Sequence, residues 1–218
     1  MSNLLITGDR ATITFSEEVS FASINALVKQ VDMLANYYHI FHVCIEIDSP
    51  GGELKSLQLF LSKLKTWRSL GVVIETRAMT SVASAAAIML SMGDVGFRYV
   101  MPDARILYHK VRVNGQMTVT ADKAKRMFED LERVDTQVFE DFFKHFQPSL
   151  KCHYRLDKAF PSRAIELGGQ VIKPVAGRSY EAFEKKVKTF LNSLFECDDY
   201  LSAQQAVDLK LVDHVYQY

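Results

Sequence analysis

Pro50-Gly51-Gly52 marks a change of hydrophobic period, and no other feature limits so strongly what this chain can fold into. Upstream, Val43, Ile45 and Ile47 alternate at period two, the pattern of a buried strand. Downstream, Leu54, Leu57, Leu61 and Leu64 recur at spacings of three and four, the pattern of a helix. Adjacent glycines let the backbone bend, or be approached closely, where the two elements meet. The unit reads as strand, glycine turn and helix start. Free N–H groups gather at such a turn and can face a developing negative charge. An ordinary strand-to-helix connection would carry the same residues.

Strand and helix alternate on both sides of this unit. Leu4 to Thr7 and Ala11 to Phe15, parted by Gly8-Asp9-Arg10, read as a hairpin. Phe21, Ile24, Leu27, Val28, Val31 and Leu34 form one helical face, with Ser20 or Ser23 as N-cap. Past Trp67, Val72 to Thr76 reads as a further strand of an α/β fold. The 218 residues, 48% of them hydrophobic, suffice for a substantial core. Lysine plus arginine equals aspartate plus glutamate at 26 each, so net charge gives no draw toward nucleic acid or an anionic membrane. Three cysteines without a CxxC pair argue against a disulfide framework or a zinc site, and for a reducing compartment. His39 and His42 stand alone, so no metal site is expected there. With no basic leader and no apolar stretch of about 18 residues, the expectation is a cytoplasmic chain without a membrane anchor.

Ala78 to Leu90 consists almost wholly of small and aliphatic residues, which favours a helix. Two readings stay open: a buried core helix, or a serine held at a helix start beside backbone donors. Arg98 to His109 gives two short strands about a Pro102-Asp103 turn. Thr120 to Gln147 reads as a long amphipathic helix, capped by Thr120 and ended by Pro148. Phe128, Phe139, Phe142, Phe143 and Phe146 lie on its apolar face, which is expected to meet another subunit unless residues 148–180 fold over it. That stretch, with Pro148, Pro161, Gly168-Gly169 and Pro174, reads as a loop-rich insertion. Helices over Tyr180 to Leu194 and Ala203 to Leu209, then a strand over Leu211 to Val215, complete the chain.

In this order, Ser49-Pro50-Gly51-Gly52, Ala83-Ser84-Ala85, Arg105-Ile106-Leu107-Tyr108-His109, Tyr200-Leu201-Ser202-Ala203 and Leu211-Val212-Asp213 resemble the Clp protease proteolytic subunit (ClpP) family. The resemblance runs over roughly residues 11 to 147 and 196 to 216. It implies an α/β spiral of repeated β-β-α units, the fold shared with crotonases, as a single domain over 1–218 with a handle helix at 120–147. It further implies a serine endopeptidase with Ser84 as nucleophile, His109 as general base and Asp198 as acid. Gly51 and Ala85 would supply the oxyanion-hole N–H groups, and no cofactor or metal is required. A neutral imidazole is what makes a serine hydroxyl nucleophilic, and a carboxylate holds that imidazole in the right tautomer.

The chain departs from the family in the residues around Ser84, in the 148–180 insertion, and in the 89 residues between His109 and Asp198. Implied partners are a peptide or unfolded protein substrate, a homo-oligomeric ring and an AAA+ unfoldase. Because the chain opens close to its first strand, dependence on the unfoldase is not expected. The alternatives are a ClpP-like structural subunit without catalysis and a crotonase-type acyl-CoA enzyme, which would need no serine nucleophile.

Overall fold

The computed structural model describes residues 3–110, 120–157, 165–167, 170–172 and 180–217. Strands β1 (Leu4–Thr7) and β2 (Arg10–Phe15) form the expected hairpin. Helix α1 (Phe21–Asn36) starts in a capping box, with Ser20 Oγ accepting from the Ser23 N–H and the Ser23 hydroxyl accepting from the Ser20 N–H. Strand β3 (His42–Ser49), helix α2 (Leu54–Ser69), strand β4 (Val73–Ala83), helix α3 (Ala85–Ser91) and strands β5 (Arg98–Val100) and β6 (Arg105–Leu107) follow. Strands β2, β3, β4 and β5 lie side by side and parallel in chain order. Crossovers of one hand between successive neighbours place α1, α2 and α3 on the same face. Ile45, Ile47, Ile74 and Ala78 are buried under them.

The small-residue segment departs from its helical propensity. Ala78 to Ala83 belong to β4, whose first half pairs with β5 and whose second half pairs with β6. Two successive partners satisfy its backbone groups as strand, and tertiary pairing overrides alanine's preference. The helix therefore begins only at Ala85 and spans seven residues.

Helix α4 runs from Ala121 to Asp157, 37 residues, and Pro148 does not end it. A proline within a helix removes one i→i−4 bond and crowds the preceding turn, a local cost that does not oblige the chain to stop. The proposed insertion at 148–180 thus opens with nearly three more helical turns and holds a short hairpin, β7 (Ile165–Leu167) with β8 (Gln170–Ile172). The rest of it lies outside the described residues. Helix α5 (Tyr180–Cys197) leads to β9 (Tyr200–Ser202), α6 (Ala203–Asp208) and β10 (His214–Val215). Strand β9 runs antiparallel to β6, and β10 parallel to β5. Arg98, fully buried, grips Asp213 through Nε at 2.8 Å and Nη2 at 2.6 Å, fixing the C-terminal segment to β5. Burial raises the Asp213 carboxyl, but the hydrogen bond and charge of Arg98 hold it below its ordinary value.

The aromatic face of α4 is satisfied within the chain over its second half. Phe139, Phe142 and Phe143 are buried, and Phe195 of α5 meets Phe139 and Phe142 at ring separations of 5.7 and 5.6 Å. Covered by α5, these rings are not free to form the expected subunit contact. Phe128, a residue of the first half, stays 66% exposed. No helix among the described residues is long and apolar enough to cross a membrane.

Candidate active site

Two strand-to-helix turns meet at the carboxyl ends of β3 and β4. At the first, Gly51 adopts φ +90 and Gly52 φ +149, values that L side chains rarely adopt. A Cβ on Gly51 would lie 2.5 Å from the Ala83 carbonyl oxygen, 2.6 Å from Ser84 Cβ and 2.9 Å from the Ala85 nitrogen. The glycine is thus required by space as well as by dihedral. At the second turn Ser84 takes φ 58 and ψ −128, close to the mirror image of extended backbone and costly for any residue with a Cβ. A strained strand-to-helix turn that lifts a hydroxyl above a sheet is the geometry of a nucleophile elbow. Its N–H donates to the Leu107 carbonyl at 2.8 Å, which ties it to β6.

His109 follows β6 by two residues. Its neighbour Tyr108 is fully buried, shares a hydrogen bond with Ser91 at the end of α3, and packs on Phe142 and Phe195. The helix that starts beside Ser84 is therefore tied at its far end to the segment that carries His109. The imidazole Nδ1 meets the Lys110 carbonyl oxygen. A carbonyl can only accept, so Nδ1 carries the proton and Nε2 is left with the lone pair a general base needs.

Ser84, Ala85, Gly51, Gly52 and His109 line one cleft of about 500 Å³, with Leu54, Leu57, Ile88, Val138 and Phe195 as its apolar surface. The expected nucleophile, base and both expected oxyanion donors are brought together there. The two glycine N–H groups differ, however. That of Gly51 donates to Ser49 Oγ at 3.2 Å. Gly52 forms a parallel bridge with Val19, in which Val19 donates to the Gly51 carbonyl and Glu53 to the Val19 carbonyl. Such a bridge turns the N–H of Gly52 itself away from Val19, and it meets no acceptor among the described residues. Gly52 as a donor was not singled out from sequence; two adjacent glycines give no periodic signal to choose between them.

Asp198 does not line the cleft. It sits between α5 and β9 at φ 56, exposed. The β6–β9 register pairs Leu107 with Tyr200, so the same register carried two residues further sets His109 opposite Asp198. Lys110 then donates to the Phe195 carbonyl at 2.9 Å, and its ammonium pairs with Glu196 at 2.7 Å. The segments bearing the expected base and acid therefore run side by side, with extra residues on the acid's side.

A family model described as Clp protease matches residues 4–158, a stretch that contains Ser84 and His109 and stops short of Asp198. The ATP-dependent Clp protease proteolytic subunit 2 of Mycobacterium bovis is 27% identical over 128 residues, 59% of this chain and 58% of that one. Proteins of the same description from Streptomyces avermitilis (27% over 154 residues, 69% of this chain and 75% of that one) and Corynebacterium jeikeium (29% over 136 residues, 61% and 62%) are also similar. The match to the Mycobacterium bovis protein thus spans less than two thirds of that relative's length. With a strained serine turn, a histidine and backbone donors at one cleft, and a match over most of its length, the chain belongs to the Clp protease family.

Proposed function

We propose that this protein is a serine endopeptidase of ClpP type that hydrolyses peptide bonds in peptides or unfolded polypeptides, without a cofactor or metal. The observation that carries the reading is the cleft itself: Ser84 in a strained turn, packed against a glycine and facing the same space as His109. Ser84 Oγ attacks the scissile carbonyl while Nε2 of His109 takes its proton. The oxyanion lies by the N–H of Ala85 and that of the glycine pair, Gly52 being the donor left free rather than Gly51. His109 then protonates the leaving amine, and water releases the acyl group by the same steps. Asp198 acts by holding and stabilising the imidazolium, which requires the 198 segment to close on His109.

The closed homo-oligomeric ring implied by the family is part of this proposal, as is the cytoplasmic setting. Its subunit contact falls on the outer half of α4 around Phe128, since the inner aromatic residues are occupied. Light scattering tests the ring: one chain's mass at all concentrations removes it. Peptide hydrolysis tests the chemistry. Ser84→Ala and His109→Ala are each expected to lose about 10⁴-fold or more in kcat, with the double variant losing no more than either, since triad members act as a unit. Losses that multiply would contradict the pairing. Asp198→Asn should cost more than Asp199→Asn.

A further inference from the structure

The Val19–Gly52 bridge sets two carboxylates at the mouth of the Ser84 cleft. Val19 is fully buried, so its chain neighbour Glu18 faces outward, and Glu53 projects from the other chain directly after Gly52. Both line the cleft and both are exposed. Neither forms an ion pair among the described residues; the Glu53 carboxylate accepts from the Ser56 hydroxyl at 2.9 Å. Asp135, also in the cleft lining, lies in the field of Lys110, whose ammonium is already paired with Glu196. Apart from His109 no basic side chain among the described residues lines the cleft, while Leu54, Leu57 and Ile88 give it an apolar wall.

An apolar wall that leads to unpaired carboxylates suits a side chain with a methylene stem and a cationic head. We propose that Glu18 and Glu53 are specificity-determining residues, and that the cleft selects peptides with lysine or arginine beside the scissile bond. The proposal rests on the peptidase reading above. Acidic or purely aliphatic side chains at that position are accepted less well, because they leave the carboxylates without a partner or add like charge. Exposed pairs of this kind are individually weak, so the two together are expected to give about a three- to tenfold preference, shrinking as salt is raised.

Two peptidyl diphenyl phosphonates that differ only in an aminobutyl or a butyl side chain next to phosphorus provide the test. Labelling forms a bond from Ser84 Oγ to phosphorus and expels phenoxide, and intact mass follows its rate. In the full-length protein the aminobutyl reagent should label about three- to tenfold faster, and the ratio should fall toward one in Glu18→Gln/Glu53→Gln. Glutamine at 53 keeps an acceptor for Ser56 and removes only the charge. Equal rates in the wild type, or a ratio unchanged in the double variant, overturn the selectivity and leave the peptidase reading standing. Failure of both reagents to label overturns both.

Discussion

The turns that end β3 and β4 are neighbours with the same job, taking a parallel strand into a helix, and they solve it with different residues. The first uses Gly51 and Gly52, where positive φ costs little and the absent Cβ makes room for Ala83, Ser84 and Ala85. The second uses Ser84, which bears a comparable positive φ with its side chain in place. Strain tolerated in a residue other than glycine points to a need for that side chain. The glycine turn supplies space and the serine turn supplies the group that uses it, so the two should answer differently to substitution.

Gly51→Ala should have the largest effect on the fold. The new methyl would meet the backbone of the serine turn at 2.5 to 2.9 Å, where a flexible side chain cannot yield. A loss of about 3 kcal/mol or more is expected in denaturant titration, with any residual fold inactive. Next is a dependence on pH at the far end of α3, the helix that the serine turn begins. His145 of α4 donates Nε2–H to the Gly93 carbonyl at 3.0 Å, just beyond α3. Burial, helped by the charge of Arg68, pushes its pKa down to about 4 from 6.5. The neutral form belongs to the fold, so its contribution is complete above about pH 6.5 and is lost as pH falls toward 4. On the order of 3 kcal/mol should separate those limits. His145→Gln, which keeps a donor and cannot titrate, should flatten that segment of the stability curve; an unchanged curve would remove His145 from the account.

Gly8 sharpens the contrast, since it has φ +62 but nothing within 4 Å of a would-be Cβ. Gly8→Ala should cost only about 1 kcal/mol, the dihedral penalty without the clash. The smallest effect has the opposite sign. Ser84→Gly releases strain and should raise stability by about 0.5–1 kcal/mol, part of the relief being offset by a more flexible unfolded chain. A destabilised Ser84→Gly would mean that the turn is not strained.

Much of this was legible in the chain itself. Period-two and period-three-to-four patterns locate β3, α1, α2 and α5, because those elements bury one face each and the pattern records it. Ser84 and His109 were singled out through the resemblance of short motifs, and both line one cleft. What was misread depends on partners distant in sequence. Residues 78–83 are strand because β5 and β6 lie alongside, which alanine-rich composition does not announce. Phe139 and Phe142 of α4 face Phe195, some 50 positions on, so an amphipathic pattern showed that a partner exists without showing which. Pro148 was read as a stop because a helix break is its commoner outcome. Gly51 and Gly52 look alike in sequence, and what separates their N–H groups is the side chain of Ser49, whose Oγ accepts from Gly51.

The central claim is that the strain at residue 84 serves a nucleophile. Treatment of the purified protein with a serine-directed phosphonate, followed by peptide mapping of the adduct, tests it most directly. One adduct per chain is expected, on Ser84, absent from Ser84→Ala and strongly slowed in His109→Ala. An adduct on Ser81, equal labelling of Ser84→Ala, or no labelling of the wild type would contradict it.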